Sequence, residues 1–383
     1  MRILFERLFV SYIDRAVEYE LGKMGVSCTV RTHYTPEDIY EDEALFKSLM
    51  SDIEEETPDA VFTVNFWPLV ARACHRAHCR YISWSYDCPQ NLPTLSDMEY
   101  EENNIFLFDR WEVSDYSSRG LERVFHMPLA VSCDLWDEAA HKSDDHVRDI
   151  SLVGSLYQST FPALLGAMEP YDRGFFRGIS DSQRRIYGYY LSDELMTDER
   201  LSSLTGILGT EDMHIARRRL SYAMGTYMTF QDRLTLISAL SKRYDVSLYS
   251  GEVPDSVSGL ISDCRIRPWA DYNTQMPLIF KNSRINLNPV LRVIRSGIPL
   301  RALDVLGCGG FLLSAYQPEL AELFDLGSEV VCYGSMEEAI ALCDHYLSHE
   351  EERLEITEAG YERVKKDFTY TDRFSRMFEI AGL

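Results

Sequence analysis

Basic charge is scarce in this chain of 383 residues: 38 Lys and Arg stand against 61 Asp and Glu, a formal net charge of −23. Such a surface repels nucleic acid and anionic lipid, so neither is expected as a partner. No basic patch with interleaved aromatics offsets it. Long apolar runs are missing too. No stretch of 18 apolar residues occurs, so no membrane-spanning helix is expected. The opening MRILFERLFVSYIDR carries acids too early for a secretory signal. Cysteine spacing gives no disulfide framework. The nine cysteines are an odd number, scattered singly among apolar residues, which reads as reduced thiols in a cytoplasmic protein.

The usual cofactor fingerprints are also absent. There is no G-x-x-x-x-G-K-[ST], which argues against a P-loop ATPase or kinase. No G-x-G-x-x-G follows the first apolar run, so a hydride-transferring Rossmann enzyme loses its main warrant. YSSRG and GCGG do not substitute for it. CHRAHC (74–79) has two histidines three apart but lacks a second ligand pair. No D-x-D lies between apolar strands, and the DD at 144–145 falls in a polar stretch. No metal is expected, and no tightly bound cofactor.

What is present is an alternation of strand and helix patterns. MRILF, VSCTVRTHY, DAVFTVNFW, RYISWSY, NIFLFDR and RVFHMPLAV read as six strands separated by helices. This predicts an α/β domain over 1–138 with a parallel sheet. AAHKSDDHVRD (139–149) reads as a linker. ISLVGSLY restarts the pattern and opens a second α/β domain over 150–365, with a helical insertion at about 160–240. RYDVSLYSG, CRIRPW, NSRINLNP, GFLLSA and SEVVCYG supply its further strands. Ser335 with Glu338 marks a helix start before a nearly continuous helical stretch to 368. A last helix occupies 366–383. Two such domains imply a cleft at the carboxyl ends of the strands.

The segment SGIPLRALDVLGCGGFLLSAYQP (296–318) packs a basic residue, an acidic residue and paired glycines into an apolar stretch. Arg301 falls in the first turn of a helix, Asp304 one turn on. Gly309 and Gly310 end it. One reading is a helix cap and a tight turn, which alone explains both glycines. The other is a nucleotide pocket, with Asp304 on a ribose and basic groups on a diphosphate. Lys281, Asn286, Asn288 and Arg292 precede the segment and concentrate positive charge in an acidic chain. A surface ion-pair network explains the same charges.

KNSRINLNP, IRSGIPLRALDVLGCGGFLLSAYQPELAELF and GYERVKKDFTYTDRF resemble the carboxyl-terminal domain of CgeB-like spore-maturation proteins. YISWSYDCP, IFLFDR, MPLAV and VGSLY extend the likeness over most of the chain. These are glycosyltransferase-like proteins of the GT-B type. The resemblance implies two Rossmann-like domains, a nucleotide-sugar donor (UDP favoured) on the second and an unknown acceptor on the first: a glycan, protein or metabolite. It also implies that the terminal helix packs back on the first domain. Asp304 matches the family's ribose-binding acid. Relatives often carry another acid eight positions earlier, where this chain has Ser296. Sugar contacts then differ, or activity does. A non-catalytic nucleotide-sugar or glycan binder and a sugar-nucleotide epimerase stay open as alternatives.

Transfer needs a stabilised leaving diphosphate and a placed, deprotonated acceptor hydroxyl. Arg301, Lys281 and the amides of Gly154, Ser155, Gly309 and Gly310 are candidates for the diphosphate. VGSLY is equally an ordinary strand-to-helix turn. Asp87, just past the fourth strand in WSYDCP, is the candidate base, with Trp84 and Tyr86 as a wall for a sugar ring. Asp109 in FDR is the second candidate. Either acid can instead cap a turn. His33 and Asn65 also follow strands and are weaker candidates for acceptor contacts.

Overall fold

Twelve strands form two six-stranded sheets among the described residues, and every pairing between strands is parallel. The computed structural model describes residues 1–90, 92–140 and 147–383. Residues 141–146 of the expected linker, with Asp144 and Asp145, lie outside them. The chain divides into two units. One comprises Met1–Leu135, Gly297–Leu303 and Val364–Leu383; the other comprises Trp136–Ser296 and Asp304–Arg363.

The first unit is built on β1 (Arg2–Arg7), β2 (Ser27–Thr32), β3 (Ala60–Val64), β4 (Arg80–Ser85), β5 (Asn103–Leu107) and β6 (Val124–His126), in the order β2-β1-β3-β4-β5-β6. β3 and β5 are buried at every residue, the pattern of central parallel strands covered on both faces. The connecting helices start where their sequences stop them fraying. Asp42 accepts from the Leu45 amide at 2.9 Å, and Pro68 occupies the first turn of Pro68–Ala77. The terminal helix Tyr370–Ala381 packs on this sheet. Phe374 lies 5.8 Å from Phe62, and Tyr370 lies 5.6 Å from Trp84, edge to face. Burying each such ring contributes about 1.5–3 kcal/mol.

The second unit holds β7 (Arg148–Val153), β8 (Val246–Tyr249), β9 (Arg265–Arg267), β10 (Ser283–Asn288), β11 (Leu312–Ala315) and β12 (Val331–Tyr333), in the order β12-β11-β10-β7-β8-β9. The direction of strand succession reverses between β7 and β10, which makes their carboxyl ends the switch point of this sheet. The stretch expected to be helical runs from Phe161 to Leu240 as six helices. The longest, Met213–Leu240, packs Leu220 and Met224 with Phe161, Phe176, Met196 and Leu201 in a core of their own. The expected helix over 336–368 breaks at His349 into Met336–Ser348 and Glu350–Asp367. Ser348 Oγ donates to the carbonyls of Asp344 and His345 there, satisfying the end of the first helix. The Ser335 cap forms, accepting from the Glu338 amide at 3.1 Å.

Candidate active site

At the switch point of the second sheet, β7 is followed by Gly154, whose φ of +152° favours a residue without Cβ. Arg233, near the end of the helix Met213–Leu240, lies under this turn. Its guanidinium donates to the Ser155 carbonyl, and to the Pro289 carbonyl at 3.0 and 3.3 Å. It thus joins the chain leaving β7 to the chain leaving β10. A Cβ on residue 154 would come within 3.0 Å of Arg233 Nη1. Tyr157, another positive-φ residue, packs its ring 4.8 Å from the same guanidinium. Nothing in the sequence pattern singled out Arg233. The available signal was a charged Asp-Arg pair inside an otherwise buried helical stretch.

The acid at 304 is buried, and its Oδ1 accepts from the Tyr272 hydroxyl at 2.7 Å. It sits one turn beyond Arg301 in the helix Leu300–Gly307, and Arg301 is half-buried in the first turn. Ser296, the position at which the resembled family often carries an acid, donates to the buried carboxylate of Glu319 at 2.8 Å. A carboxylate therefore does reach this position, supplied by the helix Pro318–Leu323 after β11 rather than by residue 296 itself. Sequence reasoning missed Glu319.

Several expected nucleotide contacts have other work. The Gly154 amide donates to Tyr249 O at 3.0 Å and continues the sheet ladder, so it does not face a phosphate. Ser155 Oγ accepts from the Tyr157 amide at 2.9 Å. Asn286 is buried and saturated: Oδ1 accepts from Ser151, and Nδ2 donates to Phe280 O and Phe311 O. Asn288 Nδ2 donates to Ser314 Oγ at 3.0 Å. Both asparagines satisfy polar groups inside a sheet that water does not reach. Arg292 is also structural. Its Nε meets Asp232 at 2.9 Å, Nη1 and Nη2 donate to Ile186 O and Arg184 O, and its plane stacks 3.8 Å from Tyr187. Lys281 ends the helix before β10 and is exposed at the amino edge of the sheet, the edge away from the switch point. Gly309 and Gly310 close the helix Leu300–Gly307. Gly309, at φ +67°, donates to Leu306 O, and Gly310 donates to Val305 O at 2.9 Å. This is a Schellman cap, so both amides serve the helix rather than a ligand. A Cβ on Gly310 would strike Asn286 Nδ2 and Phe280 O, each at 2.8 Å.

In the first unit, Asp87 stands just past β4 with its side chain reaching solvent. Asn65, at the end of β3 with φ +62°, donates Nδ2 to Asp87 Oδ2 at 2.7 Å. Its Oδ1 accepts from the amides of Tyr86 and Asp87 at 3.2 and 3.4 Å. Asn65 is therefore the residue that fixes this turn. Desolvation by the surrounding protein raises the Asp87 carboxyl above its ordinary range, and the Asn65 hydrogen bond pulls it partly back. Tyr86 lies beside Phe9 and Tyr12, each with ring centroids 6.4 Å away. Trp84 does not contribute a wall. It is fully buried, donates to Met127 O and packs on Tyr370 and Phe374. Asp109 is not placed for proton transfer either: it is fully buried and caps the helix Arg110–Ser118 by accepting from the Trp111 amide at 3.0 Å. A Cβ on Gly297 would meet Phe108 O at 2.8 Å, so the glycine of SGIP lets that segment lie against the end of β5. In CHRAHC, His75 and His78 share Glu102 at 2.8 and 3.5 Å, and Cys74 and Cys79 are buried.

Residues 233–379 match a family model described as glycosyl transferase-like. Many solved structures match the chain, and three of them illustrate the likeness over nearly its whole length. Anabaena Alr3699/HepE in complex with UDP-glucose is 11% identical, covers 100% of both chains and gives a TM-score of 0.56. A UDP-forming trehalose-phosphate synthase from Burkholderia xenovorans is 10% identical, covers 100% of this chain and 98% of its own, and gives 0.57. A glycosyltransferase from Rickettsia africae is 11% identical, covers 99% and 98%, and gives 0.55. The chain has the GT-B glycosyltransferase fold. Curated proteins gave no match. The GT-B architecture and the family match together support a glycosyltransferase, as the sequence resemblance implied. No helix among the described residues is long and apolar enough to cross a membrane.

Proposed function

We propose that the protein is a CgeB-like glycosyltransferase that moves a sugar from a UDP-linked donor to an acceptor hydroxyl. One observation carries this reading: the glycosyl transferase-like match over residues 233–379 spans β8 to β12, the strands on both sides of the switch point of the second sheet. The fold alone would not name a reaction. The choice of uridine follows the UDP and UDP-glucose held by Anabaena HepE.

The donor's ribose is assigned to Asp304 and its diphosphate to Arg301 and the turn at Ser155. Arg233 positions that turn. Glu319, through Ser296, faces the transferred sugar. The acceptor oxygen attacks the anomeric carbon as the bond to the diphosphate breaks, and UDP leaves. In an inverting reaction Asp87 takes the acceptor proton. A well-placed donor to a developing oxyanion contributes about 3 kcal/mol to such a step. The nine free thiols fit a cytoplasmic location.

A panel of UDP-, GDP- and dTDP-sugars incubated with the purified protein tests the reading. Release of UDP alone, with a new glycoside when acceptor is supplied, is the expected result. Interconversion of donor epimers without UDP release would make it an epimerase. Nucleotide binding with no product from any donor would make it a binding protein.

A further inference from the structure

Glu6, His33 and Asp52 come together from three separate elements of the first unit. Glu6 is the penultimate residue of β1, His33 directly follows β2, and Asp52 lies within the helix Glu43–Glu56. His33 Nε2 is 2.6 Å from Glu6 Oε2 and 3.3 Å from Asp52 Oδ2. One ligand atom from each residue lies within 4.8 Å of the other two. The spacing of 27 and 19 positions hides this cluster from any local motif search.

We infer that Glu6, His33 and Asp52 form a binding site for a divalent first-row cation, with Zn²⁺ as the reference ion. Four observations support it. The donors are one imidazole nitrogen and carboxylate oxygens, the set that suits Zn²⁺ and its neighbours and lacks the thiolate that selects copper(I) or an iron–sulfur cluster. The Glu6 side chain is 0% exposed, and its Oε1 has no hydrogen-bond partner among the described residues. A buried carboxylate oxygen without a donor is costly, and a cation beside it removes that cost. Further carboxylates lie close to Asp52: those of Glu55 and Glu56, both paired with the guanidinium of Arg31. That guanidinium lies 3.5 Å from Asp52 Oδ1, so it orients the carboxylate from outside and leaves Oδ2 turned to His33. Finally, the His33 and Asp52 side chains are 9% and 14% exposed, enough for an ion to enter. Three protein ligands leave a position for water. Such an ion would tie the ends of β1 and β2 to the helix above them.

This site is independent of the glycosyl transfer reading, and its test does not use activity. Protein treated with EDTA and dialysed is titrated with ZnCl₂ by calorimetry and by thermal melting. Co²⁺ is added in parallel and followed by its visible spectrum. One equivalent should bind, raise Tm by several degrees, and give Co²⁺ a spectrum of nitrogen and oxygen ligation without thiolate charge transfer. His33→Ala and Asp52→Asn, each checked for fold by circular dichroism, should each weaken Zn²⁺ at least about tenfold. A His75→Ala/His78→Ala variant should bind as the wild type does. No stoichiometric binding to the wild type would overturn the proposal. So would unchanged affinity in folded His33→Ala, or loss of binding only in the His75/His78 variant.

Discussion

The proton chemistry proposed for the first unit rests on Asp87 and on Asn65, which holds its carboxylate at 2.7 Å. A general base contributes about 10²–10⁴-fold to rate. Asp87→Asn should therefore abolish transfer while UDP binding, read by calorimetry, persists. Preserved turnover would remove Asp87 from that role. Asn65→Gly is a finer probe, because glycine accepts the φ of +62° while removing the amide. Desolvation raises the Asp87 carboxyl and the Asn65 hydrogen bond lowers it, so losing the bond leaves only the raising effect. Asp87 then ionises at higher pH, and the acid limb of kcat/KM should move up in pH. An unmoved limb would show that Asp87 is not the titrating group. Asp87 was legible in the sequence as an acid just past a strand, whereas its partner was legible only as a polar residue at another strand end. Asp109 occupies the same kind of position, and only the structure shows its carboxylate turned inward to a helix amide.

Strands and helices were read well because periodicity and length survive in a parallel sheet: all six apolar runs expected in each domain became strands. Side-chain direction did not survive the same way. Asn286 and Arg292 looked like ligand contacts because amides and guanidinia bind phosphates. A sheet covered on both faces must also satisfy its own polar groups, and these two do that. Lys281 was close in sequence to the site and lies on the other edge of the sheet, because a helix that leads into a strand ends at the strand's amino end. The switch point itself depends on Arg233. Arg233→Ala leaves the Ser155 and Pro289 carbonyls unpaired, a cost of about 1–3 kcal/mol each. It should raise donor KM tenfold or more with a smaller effect on kcat, and Gly154→Ala should move in the same direction. Steady-state kinetics over donor concentration separate the two parameters. Gly309→Ala supplies the contrast. It should cost about 1 kcal/mol in urea unfolding, from a left-handed backbone, and leave donor KM unchanged. A raised KM in that variant would return the glycine to the phosphate site.

At the scale of the chain, charge and architecture point the same way. A net charge of −23 is hostile to polyanions but not to a diphosphate held by a few oriented donors. The two-sheet architecture was legible from the alternation of elements. Its naming as GT-B came through a resemblance of motifs, since 10–11% identity to solved structures carries fold alone. Glu319 was invisible because it belongs to a different helix from the position it serves. Calorimetric titration of UDP into the wild type and into Asp304→Asn tests the proposed ribose contact. One UDP should bind per wild-type chain, and the variant should bind it at least about tenfold more weakly with folding intact. Equal affinity in the two proteins, or no UDP binding to the wild type, would contradict that contact.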